Sequence, residues 1–325
     1  MTRAWWLGKR LLVAVVLVYV IMTAVFAFVA LTEDPTVIMV ERAAVGNGLT
    51  GEQVDQIVEA YRESRNLDDP PLERYVNWLY NVTTLDWGLS FSTGQPVALL
   101  VGRGLLYTAA YLVPALLVAV AGGIGLGLYS ATHEESLGAR LSIGASYVGF
   151  GIPNFLFAWL LMWFVAVELH LFGRGIVDAS AWTSVRTLGN LSLAALVAGS
   201  SILAGQIRYA RAESLEHLGT ESIKLLRAKG AGPRTVTRHV LRNAAGPIVA
   251  TTFTELVDVM LLGIIVIEQI FGIPGIGHLI YSGVMGRDLP LLIGAAMVLA
   301  VITIGGTLFQ DLLHASLDPR VADAD

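Results

Sequence analysis

Hydrophobic and polar positions fall into long blocks along this chain, not into short alternations. Six apolar stretches stand out: Leu11 to Leu31, Leu105 to Ser130, Leu141 to Val167, Leu188 to Ile207, Ala245 to Ile270 and Leu289 to Leu308. Each reaches the roughly 20 residues that an α-helix needs to cross a hydrocarbon layer. Alternating segments of about 10 residues, the mark of a transmembrane barrel, are absent from the sequence. The pattern predicts an all-α, polytopic membrane protein with six transmembrane helices in one domain spanning residues 1–325. Gly122, Gly123, Gly125 and Gly127 in the second stretch predict close helix contact, because small residues let backbones approach. Pro153-Asn154 interrupts the third stretch, and a proline there removes a backbone hydrogen bond and predicts a kink.

The polar blocks between the spans differ in charge. Residues 32–104 carry 11 acidic and 5 basic side chains. Within them Thr50-Gly51-Glu52-Gln53 resembles a capping box, and Val54, Ile57, Val58 and Tyr61 follow at helical spacing, so a helix is expected near 51–65. Asp69-Pro70-Pro71 then breaks the chain. Trp78, Tyr80 and Trp87 suit either a membrane surface or the core of a small cap. Leu169 to Val185 and the Gly- and Pro-rich segment Phe271 to Asp288 are expected as loops on that same side. The opposite pole is residues 208–242, which hold eight of the 21 Lys and Arg. Basic loops stay in the cytoplasm. With both termini inside, the inner side collects Arg3, Lys9, Arg10, Arg140, the eight residues of the island and Arg320, which is 13 of the 21. The first apolar run is longer than the 7–15 residues of a signal peptide and lacks its small-residue cleavage site, so it is expected to remain as a span.

Composition narrows the chemistry. The chain is 55% hydrophobic and 14% charged, which excludes disorder. It contains no cysteine, so disulfides and thiolate chemistry are ruled out. No G-x-x-x-x-G-K-[ST] occurs, so no P-loop nucleotide site is expected on this chain. His133-Glu134-Glu135 is not H-E-x-x-H, and the six histidines are scattered; neither a metal site nor a catalytic residue is expected. The glycosylation sequons at Asn81 and Asn190 are short patterns that arise by accident. Inverted repeats, which a secondary transporter would carry, are not seen. Nothing in the charge pattern points to nucleic acid.

The basic island is more specific. Leu215, Leu218, Ser222, Leu225 and Leu226 are expected on one helical face with charges opposite. Glu221 to Lys229 reads as a helix stopped by Gly230, as a C-cap requires. A second basic helix, Pro233 to Asn243, starts at once with proline in its first turn. An interfacial helix resting on anionic lipid needs no such bend; a peg that fits a partner's groove does.

Here Leu226-Arg227-Ala228-Lys229-Gly230, followed by Arg238-His239-Val240-Leu241-Arg242-Asn243-Ala244 and Pro247, resembles the coupling loop of ABC-importer permeases. More narrowly, it is similar to the dipeptide, oligopeptide and nickel permease family. Further segments resemble that family in order: Arg74 to Leu79, Thr93 to Val97, Gly151 to Phe155, Ile267 to Phe271, Pro274 to Gly277, Arg287 to Pro290 and Leu317 to Arg320. Lys224 and Leu225 replace the first two residues of a strict E-A-A, and Glu255 and Asp258 stand where the family has small or apolar residues.

The resemblance implies a type I ABC importer permease in the cell membrane, with an external segment near 32–104 and a cytoplasmic coupling loop near 208–243. It would work with a sister permease, two cytoplasmic ATPase subunits that hold ATP and Mg, and an extracytoplasmic solute-binding protein; this chain itself would carry no cofactor. Glu221, Lys224, Arg227, Ala228, Lys229, Gly230, Gly232 and Arg234 are expected at the ATPase contact. Asn154, Glu255, Asp258 and Glu268 are expected on the translocation path. Peptides are the expected substrate, with nickel complexes or sugars as alternatives.

Overall fold

The computed structural model describes residues 3–31, 35–64, 69–171, 183–258 and 263–317. Among them helices carry almost all of the backbone, and β pairing is confined to an isolated antiparallel bridge between Leu89 and Pro96. The helices are α1 (Arg3–Leu31), α2 (Pro35–Gly46), α3 (Gly51–Ser64), α4 (Pro71–Thr83), α5 (Val97–Thr132), α6 (Leu137–Gly151), α7 (Asn154–Trp163), α8 (Val185–Leu218), α9 (Glu221–Ala228), α10 (Pro233–Asp258), α11 (Ile264–Phe271), α12 (Ile276–Met285) and α13 (Leu289–Leu317). A π-helical turn, Phe164–Glu168, closes α7.

Four helices are long and apolar enough to cross a membrane unaided: α1 over Gly8–Phe28, α5, α8, and α13 over Leu289–Leu313. Two further spans exist if each bent pair counts as one, α6 with α7 and α11 with α12. At about 1.5 Å per residue, the 36 residues of α5 and the 34 of α8 run to about 54 and 51 Å, well beyond a hydrocarbon core of about 30 Å. Both helices are longer than a straight crossing needs, and α9 follows the C-terminal end of α8.

Three expectations need correction. The third span does not kink at Pro153; it breaks, and α6 and α7 meet at 97°. The cause extends past the missing N–H. Ile152 is extended (φ −93, ψ 119), as a residue before proline prefers, and Pro153 is the N-cap of a new helix. The fifth stretch, drawn from Ala245, has no separate start: α10 runs unbroken from the basic island at Pro233 to Asp258. The loop expected over Phe271–Asp288 is occupied mostly by α12. Gly272 (φ 64) ends α11 in the left-handed region, and the chain turns into α12 four residues later, at 87°.

The chain forms two compact units. The first gathers Met1–Leu12, Gly104–His278 and Ile302–Asp325. Its packing depends on small residues: a Cβ on Gly123 would overlap Gln206, and one on Gly127 would lie 2.7 Å from Ala210 Cβ, so α5 and α8 run backbone to backbone. A Cβ on Gly122 would lie 3.3 Å from Leu203 Cδ1 of α8, so the glycine reading is borne out at three of the four positions; Gly125 has open space around it. Arg10 of α1 donates to Asp311 of α13 at 2.8 Å.

The second unit comprises Val13–Arg103 and Leu279–Val301. The expected helix near 51–65 is α3, and Gln53 Oε1 accepts from the Thr50 N–H at 3.1 Å, one half of a capping box. Asp288, fully buried, organises another corner. Its carboxylate accepts from Ser90 Oγ (2.6 Å), Ser92 N–H (3.0 Å), Ser92 Oγ (2.7 Å) and Leu291 N–H (3.2 Å), so it caps α13 and pins the 88–97 turn. Burial pushes the Asp288 carboxyl up, but these donors together outweigh it and hold it below the usual carboxylate value. Trp87 donates to Val82 O at 3.0 Å and lies against Gly294 with Val97, so this aromatic is a packing residue.

Candidate functional site

The basic island is assembled from the ends of two long helices and one short helix between them. α8 stops at Leu218, and Gly219-Thr220 redirect the chain. Thr220 is extended (φ −72, ψ 152); its carbonyl accepts from the Ile223 and Lys224 N–H groups, and its hydroxyl donates to His217 O at 2.7 Å. α9 then makes two turns. Lys229 is its C-cap and Gly230 lies at φ 82. The Gly230 N–H donates to Arg227 O at 2.9 Å and the Ala231 N–H to Leu226 O at 3.0 Å. Those paired bonds form a Schellman motif, which needs a left-handed residue where Gly230 stands. Gly232 O accepts from the Thr235 and Val236 N–H groups and opens α10, with Pro233 at its first position.

One apolar cluster fixes this arrangement. Ile223 (1% exposed) packs with Leu128 at the end of α5 and with Val236 and Val240 of α10; Leu218, Leu226 and Ala231 close its rim. A second cluster, Ala210, Ala244 and Ile248, locks α8 to α10 just behind. The buried face of α9 therefore differs from the expected one. Leu215 and Leu218 belong to α8, and the break at Gly219-Thr220 shifts the helical phase, so Ile223 turns inward and Leu225 stays 57% exposed.

The exposed face of α9 and its cap consists of Glu221, Lys224, Leu225, Arg227, Ala228, Lys229 and Gly230, with Gly232 and Arg234 beside it. Seven of the eight expected contact residues carry their side chains or backbone on α9 or its cap through Gly232, and Arg234 follows in the first turn of α10. Lys224 Nζ meets Glu221 Oε1 at 2.7 Å on the surface, a pair that contributes little to stability in water. Leu225 is the addition that sequence reasoning missed: an exposed apolar side chain within four residues of Lys224, Arg227 and Lys229. Two island arginines have inward roles. Arg208 stacks on Phe150 at 3.8 Å, and Arg211 approaches Glu134 at 3.8 Å.

Of the expected path residues, Asn154 and Glu268 make separate contacts. Asn154, at the start of α7, is half-buried and donates from Nδ2 to Ser201 Oγ of α8 at 3.1 Å. Glu268 is fully buried in a closed polar nest: it accepts from Thr108 Oγ1 (2.7 Å), Tyr111 Oη (3.3 Å) and the His278 N–H (2.9 Å). Thr108 Oγ1 in turn accepts from the Ile276 N–H, and a Cβ on Gly275 would overlap the carboxylate. Glu268 thus fastens the α11–α12 turn to α5. The backbone at Glu255 and Asp258 is helical, within α10; their side chains lie outside the described residues, as do residues 172–182 and the tail 318–325 with Arg320.

Long apolar helices, no sheet among the described residues and a short helix set between two long ones define a multi-pass membrane component. Comparison with known proteins gives that class a family. Residues 123–323 match the binding-protein-dependent transport system inner membrane components, and the chain belongs to that family. Among curated relatives, the oligopeptide transport system permease protein AppB of Bacillus subtilis is 31% identical over 294 residues, covering 87% of this chain and 92% of its own length. The dipeptide transport system permease protein DppB of the same organism is 32% identical, over 84% of this chain and 85% of its own length. The glutathione transport system permease protein GsiC of Shigella boydii is 28% identical over 96% of this chain and 97% of its own length.

Proposed function

We propose that the chain is one transmembrane subunit of an ATP-driven importer of di- and oligopeptides, and that α9 with its cap receives the push of cytoplasmic ATPases. The observation that carries the coupling role is the contrast within α9. Its inward residue, Ile223, is locked between three helices, while Lys224, Leu225, Arg227 and Lys229 are exposed among the described residues. A force on that face reaches α5, α8 and α10 directly. Arg227 is of a residue type enriched at binding hot spots, and Leu225 near it adds exposed apolar surface.

The peptide substrate rests on the relatives, which are permeases of oligopeptide, dipeptide and glutathione systems. A sister permease completes the path, two ATPase subunits hold ATP and Mg, and a binding protein delivers substrate from outside. Both termini are cytoplasmic, in keeping with the charge bias. Glu255 and Asp258, three residues apart on α10, share a helix face. An Asp at the centre of a membrane costs about 2.5–3.5 kcal/mol on insertion scales, so the reading is a hydrated path, a polar contact with the sister permease or a neighbouring backbone, or placement at the interface, and not exposure to lipid.

The test uses the assembled transporter. Leu225→Ala and Arg227→Ala should each lower peptide-stimulated ATP hydrolysis and uptake at least about tenfold, the effect of losing roughly 1.4 kcal/mol at a contact, with normal membrane insertion. Unchanged coupling in both variants would remove α9 from the ATPase contact. Uptake of labelled dipeptide that nickel salts and sugars do not compete for would support the substrate; competition by either would overturn it.

A further inference from the structure

Helix α4 carries an apolar stripe that nothing among the described residues of its unit covers. Leu72 (73% exposed), Val76 (56%) and Tyr80 (68%) stand four residues apart and so lie along one side of the helix. One residue further round, about 100° away, Glu73, Asn77 and Asn81 form an exposed polar side. The remaining apolar residues of α4 are engaged. Tyr75 Oη is 2.8 Å from Thr23 Oγ1, the Tyr75 and Trp78 rings lie 5.2 and 5.6 Å from the Phe26 ring, and Val82 is buried beside Trp87.

Those contacts fix where α4 sits. Phe26 lies two residues from the end of the Gly8–Phe28 stretch of α1, which is apolar enough to span a membrane and has no buried share. Its side chains, Val20 and Phe28 among them, are exposed. α4 is thus held at the level where α1 leaves the bilayer, and its uncovered stripe continues the lipid-facing surface of α1. A polar side at right angles to an apolar one, with a tyrosine at the far end of the stripe, is what an interfacial helix requires: apolar body down, amphipathic ring at the headgroups, amides in water.

We infer that α4 is an in-plane membrane helix whose Leu72, Val76 and Tyr80 insert into the headgroup–acyl boundary at the C-terminal end of α1, so that lipid covers the stripe. The extramembrane segment is thereby anchored at two places, by α1 and by α4, and the 85–97 turn that follows α4 is held close to the bilayer.

The chain has no cysteine, so single thiols placed on it report cleanly. Val76→Cys, Tyr80→Cys, Asn77→Cys and Asn81→Cys are labelled with bimane in the full-length protein. Each is reconstituted in phosphatidylcholine–phosphatidylglycerol vesicles, with and without acyl-brominated phosphatidylcholine, and iodide is equilibrated across the membrane. Phe28→Cys serves as the lipid-exposed reference and Gln95→Cys as the aqueous one. Brominated lipid should quench positions 76 and 80 at least ~2-fold more than 77 and 81, approaching position 28, while iodide shows the reverse order. Iodide reaching 76 and 80 as freely as 77 and 81 would overturn the inference and leave the stripe open to a soluble partner. Protection of 76 and 80 from both quenchers would overturn it too, because protein would then be the cover.

Discussion

Gly230 sits at φ 82, and the space around its missing Cβ is open. A side chain there meets no neighbour; what it meets is the left-handed backbone, at about 1–2 kcal/mol for an L-residue. Asparagine tolerates that region better than alanine or aspartate. Gly230→Asp should therefore loosen the junction of α9 and α10 and lower coupled ATP hydrolysis, while Gly230→Asn should retain most of it. Equal loss in both would point to bulk at a contact surface, since strain spares asparagine. Asp288 offers a second residue-scale test. Its folded carboxyl lies below the unfolded value of about 3.9, so its stabilisation is present above that value and is lost as pH falls through the folded one. Thermal midpoints in detergent should fall below about pH 4 for the wild type, and Asp288→Asn should lack that step. At neutral pH the variant should already be weaker by about 1.5–3 kcal/mol, the value of hydrogen bonds to a charged group.

At the scale of elements, α9 separates packing from docking within four residues. Ile223→Ala empties a site that is 1% exposed and should destabilise by about 2–5 kcal/mol; Leu225→Ala, at 57% exposure, should leave the thermal midpoint within about 0.5 kcal/mol of the wild type. Local chemistry explains which elements were legible beforehand. Thr50 with Gln53 announced α3, and Gly230 with Pro233 announced the α9–α10 junction; Asp69-Pro70-Pro71 was read only as a break, and α4 starts there. Where helical phase had to be carried across a break, the reading failed. Gly219 gave no sign that α8 ends there, so the inward face of α9 was misassigned. α12 was hidden by the Gly and Pro around it, although Ile276–Met285 is itself helical. The Glu268 nest was invisible for another reason: Thr108 lies 160 residues away in sequence, and no local period reports such a contact. Gly275→Ala should break that nest, and limited proteolysis should then cut the α11–α12 turn faster.

Across the whole molecule the decisive quantity is which side of the membrane each projecting end occupies. On the proposed topology the Lys- and Arg-rich island is cytoplasmic and residues 32–104 are external. An impermeant thiol reagent applied to intact cells should label Gln95→Cys and spare Ser222→Cys until the cells are opened. Orientation alone does not establish coupling, however, because a surface-bound helix would show the same sidedness. The most direct measurement is a photo-activated crosslinker placed at Leu225 of the full-length chain in its native membranes, with adducts identified by mass spectrometry. The account expects a single dominant adduct to a protein bearing a G-x-x-x-x-G-K-[ST] nucleotide-binding loop, lost when Gly230→Asp is added. Adducts to lipid alone, or the same adduct persisting undiminished in the Gly230→Asp background, would contradict it.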